Sequence, residues 1–133
     1  RYRMTDSVIM HDEICGCGLN TPWIDIDGRV DDILEFDHND TTVRMPAVLF
    51  ELCAKDIPGC DHCQVIQRAH DAIEMRISVM PGYDRVETEQ KILFSFRQLF
   101  ESHGLSSIRI ELVNKPLERT RSGKLRIAFK EFV

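Results

Sequence analysis

Between Ala72 and Met80 the chain alternates without a break. Ile73, Met75, Ile77 and Val79 take turns with Glu74, Arg76 and Ser78. A period of two puts the apolar set on one face of an extended strand and the polar set on the other. Cys63 to Gln67 precedes it across a turn, so the two runs predict a hairpin with one buried and one wet face. An apolar sheet face needs a cover. Val86 to Phe100 provides one, with Val86, Leu93, Phe96 and Phe100 on one side, joined by Ile92 and Leu99. The stripe Phe94, Phe96 and Phe100 reads as core. Gly104 is the stop, and Ile108, Ile110 and Leu112 then alternate with Arg109 and Glu111 as a last strand.

Upstream the same grammar repeats. Asp32 to Phe36 reads as a strand, Asp37-His38-Asn39-Asp40 as a turn, and Thr41 to Arg44 as a short return. Pro46 suits a first helical turn, and Val48, Leu49, Leu52 and Cys53 fall at helical spacing before Pro58-Gly59. The order strand, helix, strand, strand, helix, strand predicts a small α+β sandwich. Its sheet is mainly antiparallel with both helices on one face. Before it, Tyr2 to Met10 and Trp23 to Asp27 flank the loop His11–Pro22 as a short β segment, marginal alone. It is expected to belong to, or pack against, something larger. Asn114 to Val133 reads as an exposed arm, with little periodicity before Leu125.

Bulk properties remove several function classes. A chain of 133 residues, 43% hydrophobic and 29% charged, fits about one soluble domain. A net charge of −5 gives no basic field for a nucleic-acid backbone. No run approaches the ~18 apolar residues of a membrane span. Arg1-Tyr2-Arg3 holds no start methionine and no apolar signal core, which predicts an excised or processed piece. Five cysteines are an odd count, so a reducing, cytoplasmic setting is expected.

Chemistry concentrates in the tail. Glu118-Arg119-Thr120-Arg121-Ser122-Gly123-Lys124-Leu125-Arg126 sets one lysine beside a flexible glycine, among three arginines. Such a loop can carry a mobile cation to a phosphate. It lacks the upstream glycine and the following Ser/Thr of a P-loop, so a Walker-type site is rejected. In Tyr2-Arg3-Met4-Thr5-Asp6, the strand-end carboxylate Asp6 can accept two bonds from a sugar diol, or serve only as a turn aspartate. Gly28-Arg29-Val30-Asp31-Asp32 reads as a polar hinge or as a loop with a surface ion pair. Cys15-Gly16-Cys17 is half of a tetrahedral zinc set, or two cysteines in a tight loop. Cys60-Asp61-His62-Cys63 lacks a second pair, so those cysteines read as structural, and His38, His70 and His103 as exposed turn residues.

Taken together, these segments in this order resemble the C-terminal part of the AMP-forming adenylating enzymes, in particular the phenylacetate–coenzyme A ligase branch. Cys15-Gly16-Cys17-Gly18, Thr21-Pro22 and Gly28 to Leu34 extend the likeness across the linker. Thr5 stands where many members have glycine, and Phe36 to Thr42 replaces a shorter glycine-containing turn. The resemblance implies that Asp6 binds the ribose, Arg29 contacts the nucleotide, Asp31 is the hinge and Lys124 is catalytic. It implies residues 1–30 as a remnant of the large adenylating domain with its linker, and 31–133 as the mobile C-terminal domain. The expected substrates are ATP with Mg²⁺, a small carboxylic acid, aryl by that likeness, and coenzyme A. Some members bind zinc through a Cys-x-Cys loop, with ligands from the larger domain. The missing N-terminal adenylating domain is the implied partner. Alone the piece is expected to be inactive, with a bare face that could drive homodimer formation. The competing expectation is a non-catalytic ferredoxin-like ligand-sensing or interaction module, since that architecture hosts many functions.

Overall fold

The computed structural model describes residues 6–29 and 32–132. The chain divides into two compact units, Arg1–Asp32 and Ile33–Val133. In the first, β1 (Asp6–His11) and β2 (Trp23–Arg29) pair antiparallel, with a bulge between Ser7 and Val8. His11 stacks on Trp23 with ring centroids 3.9 Å apart, and its Nε2 lies 3.1 Å from Asp25 Oδ2.

The second unit is a small α+β domain. It opens with the hairpin β3 (Ile33–His38) and β4 (Thr41–Pro46). Asn39 and Asp40 form its turn with φ of 46° and 60°. Two left-handed residues are what a tight hairpin with right-handed strand twist requires, and Asn and Asp tolerate them best among side-chain-bearing residues. Then come α1 (Ala47–Lys55), β5 (Cys60–Ala69), β6 (Ala72–Val79), α2 (Arg85–Ser102), β7 (Arg109–Leu112) and β8 (Ala128–Lys130). Pro46 leads into α1, where its missing N–H is harmless. Asp84 caps α2, its carboxylate accepting the Glu87 amide at 2.8 Å.

The main sheet runs β7-β6-β5-β8. Its long central pair, β5 with β6, is antiparallel as the alternation predicted, while β7 and β8 add in parallel at the two edges. Both helices cover one face. Cys63, Val65, Ile73, Met75 and Ile77 meet Phe50, Ala54, Ile92, Phe96 and Phe100 there. Phe100 takes Phe36 edge-on, with centroids 5.3 Å apart. Each such side chain, fully buried, contributes roughly 1.5–3 kcal/mol.

Three sequence expectations give way. The stripe of α1 is Phe50 and Ala54, while Val48 and Leu52 are exposed. On α2, Val86 and Phe94 face outward and Ile92, Phe96 and Phe100 are buried. Burial on these helices is set by contact with the sheet and with each other, so a period read from apolar residues alone misassigns the outer positions. Finally, the tail is no free arm. Its end is strand β8, with Ala128 and Phe129 buried. On its way there it covers the face of β5–β6 expected to be wet, so Gln64, Glu74 and Arg76 are only 0%, 6% and 6% exposed.

Candidate functional site

The lysine loop is a tight hairpin rather than a floppy turn. Arg119 and Leu125 form an isolated antiparallel bridge. Inside it the Thr120 amide donates to the Lys124 carbonyl at 2.8 Å, and the Gly123 amide to the Thr120 carbonyl at 2.8 Å. Thr120 Oγ1 accepts the Lys124 amide at 3.1 Å and lies 2.9 Å from Ser122 Oγ. Gly123 has φ +85°, a left-handed conformation that glycine adopts freely and that closes the turn. Arg119 Nη1 donates to the Gly123 carbonyl at 3.1 Å.

At the tip, Lys124 is exposed. Among the described residues its ammonium, like that of Lys55, has no hydrogen-bond or ion-pair partner, whereas Lys91, Lys115 and Lys130 have carboxylates. The segment 118–126 carries four cations and one carboxylate. Arg126 lies over the Phe129 ring, 4.1 Å from its centroid, and so is anchored by a cation–π contact. Lys124 is thus a free charge on a fixed mount, able to meet an anion without first breaking a bond.

Under this loop lies a polar cluster that sequence reasoning left in solvent. Glu74 accepts from Arg76 Nε at 2.6 Å and Arg68 Nη2 at 2.8 Å, with Lys115 Nζ at 3.4 Å. Burial alone would raise its carboxyl, yet the bonds from Arg76 and Arg68 hold it below the usual range. Arg76 Nη1 also reaches Glu118 Oε1 at 2.8 Å and the Pro116 carbonyl at 3.1 Å. Arg68 pairs further with Glu131. No local signal in the sequence marks this cover, which comes from a segment about 40 residues further along the chain.

In the first unit, Asp6 and Arg29 are register partners at one end of the β1–β2 ladder. Two residues 23 positions apart, both linked to nucleotide binding by the resemblance, are therefore brought opposite each other. Asp31 lies outside the described residues. Lys124 belongs to the second unit.

The Cys15 and Cys17 sulfurs are 3.0 Å apart, with the Gly18 amide closing the turn onto the Cys15 carbonyl at 2.8 Å. The hydrogen bond between the two sulfurs pulls the Cys17 thiol down. Two thiolates on one tetrahedral zinc would stand roughly 3.8 Å apart, so the loop is close to that spacing. It provides two sulfurs only. Among the described residues no group of three or more His, Cys, Asp or Glu is placed to hold a metal ion. Cys60 and Cys63 are buried beside a cavity of about 390 Å³. Burial, with the Asp61 charge, pushes Cys60 up to about 11, and burial raises Cys63 well above its ordinary value. Both stay as neutral thiols.

No protein-family model matches the sequence, and no curated protein matches it. Solved structures do. A fatty acyl-adenylate ligase from the E. coli and L. pneumophila enzymes aligns over 77% of this chain and 18% of its own, with 19% identity and a TM-score of 0.52. A 2-hydroxyisobutyryl-CoA ligase in the postadenylation state, with 2-HIB-AMP bound, aligns over 96% of this chain and 28% of its own, at 17% identity and TM-score 0.44. IdnL1 aligns over 86% and 20%, at 15% identity and TM-score 0.41. This chain spans less than a third of the length of each. At such identity the likeness is one of fold, and the first match carries it. Among the described residues no helix is long and apolar enough to cross a membrane. The fold of this chain is thus similar to that of a segment of the fatty acyl-adenylate ligase structure.

Proposed function

We propose that this chain is the mobile C-terminal part of an AMP-forming acid–thiol ligase. It activates a carboxylic acid, aryl by its likeness to the phenylacetate–coenzyme A ligase branch, and passes it to coenzyme A. The observation that carries this reading is the Lys124 ammonium, without a partner among the described residues, on a bonded hairpin, in a chain whose fold is similar to a segment of a fatty acyl-adenylate ligase.

The chemistry follows from charge. A substrate carboxylate oxygen attacks the α-phosphorus of ATP, the bond to the bridging oxygen breaks, and pyrophosphate leaves with that electron pair. Negative charge gathers on the oxygens around one phosphorus. A lysine is cationic at neutral pH. Set between the carboxylate and the α-phosphate, Lys124 offsets that charge and holds the two reactants in line. Asp6 takes the ribose hydroxyls through its carboxylate lone pairs, and Arg29 opposes it across the hairpin to meet the nucleotide. Mg²⁺ supplies charge neutralisation at the phosphates when bound, held through them and the large domain. No residue of this chain is assigned to it.

Thioester formation needs the opposite arrangement. The thiol must reach the acyl carbonyl, and a lysine left against the phosphate would obstruct it. The second unit therefore turns about Asp31, which requires only a few backbone dihedrals to change. Lys124 serves the first step and leaves for the second.

The test is ATP–pyrophosphate exchange by the complete protein across a panel of carboxylic acids with Mg²⁺. Acid-dependent exchange, strongest with aryl acids, is the expected outcome. Absence of exchange with every acid contradicts the reading.

A further inference from the structure

The lysine loop is fastened by side chains of the sheet beneath it. Gln64, on the central strand β5, is fully buried. Its Nε2 donates to the Glu118 carbonyl at 2.9 Å and to the Arg126 carbonyl at 2.7 Å. Its Oε1 accepts the Glu118 amide at 2.9 Å. One amide side chain thus joins both stems of the loop, satisfying three backbone groups with both of its N–H donors and its carbonyl oxygen. From β6, Arg76 binds the same stem through the Glu118 carboxylate and the Pro116 carbonyl. A buried polar side chain that ties down two stem residues eight positions apart, on either side of one exposed lysine, does more than satisfy itself. It fixes the base from which Lys124 extends.

We propose that Gln64, assisted by Arg76, is a positioning residue for Lys124: it touches no reactant and sets where the ammonium can reach. The proposal rests on the role given to Lys124 above. Its mechanism is geometric. A loop freed at its stems lets the lysine sample positions out of line with the α-phosphate, and a displacement near 1 Å costs about a hundredfold in such a reaction. A loop fixed to a sheet, by contrast, moves as one rigid body with its domain, which the rotation between the two half-reactions requires.

The variant Gln64→Met keeps the side-chain length and removes the three bonds. In the complete protein, hydrogen exchange of the peptide spanning residues 117–127 should accelerate about tenfold, the equivalent of one lost bond of ordinary strength. Peptides from α2 should be unchanged. Acyl-adenylate formation should fall through kcat with little change in KM, while thioester formation from a supplied acyl-adenylate is retained. Should Gln64→Met fold poorly, Glu118→Ala at a partly exposed position releases the Arg76 arm and is read the same way. Unchanged exchange of the loop overturns the proposal. So does a loosened loop with undiminished adenylation, or an equal loss of both half-reactions, which marks a merely structural role. Lys124→Ala in parallel separates the causes: full adenylation in that variant removes the functional reading itself, whereas its loss alongside an inert Gln64→Met removes only the clamp.

Discussion

Asp6 and Arg29 are register partners in the β1–β2 ladder, the first residue of one strand paired with the last of the other. A shared ligand would couple them, since each would lose its best geometry without the other. In the complete protein, Asp6→Ala and Arg29→Met should each raise the KM for ATP about tenfold, the cost of a charge-assisted hydrogen bond. The double variant should lose less than the product of the two. ATP-dependence of pyrophosphate exchange checks this, and strictly multiplicative losses would place the two residues in separate roles.

Glu74 and Arg76 form a second pair, 2.6 Å apart on the covered face of β6. Removing one partner leaves the other buried with fewer bonds, Glu74 on Arg68 and Lys115, Arg76 on Glu118 and the Pro116 carbonyl. Arg76→Met should destabilise the domain by about 1–3 kcal/mol, whereas Glu74→Leu with Arg76→Met should cost clearly less than the two single changes summed. Urea unfolding midpoints decide. Additive losses would show that the pair is screened by water.

Two left-handed glycines should respond unequally. A Cβ on Gly59, at φ +88°, would lie 2.7 Å from Thr88 Oγ1 and 2.8 Å from Tyr83 Cβ, while one on Gly123, at φ +85°, meets open space. Gly123→Ala should therefore cost only the backbone strain, about 1 kcal/mol. Gly59→Ala adds overpacking and should cost on the order of 2–3 kcal/mol. Thermal denaturation of both variants checks the ranking, and equal shifts would contradict the crowding at Gly59.

Thiol chemistry should divide the cysteines by environment. Cys17 is exposed and its thiol is pulled down by Cys15, while burial raises Cys60 and Cys63. Iodoacetamide at neutral pH should modify Cys17 first and reach Cys60 and Cys63 only after denaturation. Peptide mass spectrometry reports the order. Early labelling of Cys63 would mean that β5 opens readily.

Much of this fold was legible because its central elements obey one period each. Ile73, Met75 and Ile77 alternate, Gly104 stops α2, and Asn39-Asp40 announces a tight turn. What escaped was contact between distant segments. Nothing local to Gln64, Glu74 or Arg76 tells that a tail 40 to 60 residues later will cover them, so they read as a solvated face. Strand β8 is only three residues long and takes its place from its partner β5 rather than from its own pattern. The lysine loop stood out by composition, but its rigid mount is a tertiary property.

The central claim is that Lys124 acts in adenylation and not in thioester formation. In the complete protein, Lys124→Ala should reduce acyl-adenylate synthesis from ATP and acid by about a hundredfold or more, while thioester formation from a supplied acyl-adenylate proceeds at the unaltered rate. Undiminished adenylate synthesis in that variant, or equal loss of both steps, contradicts the account.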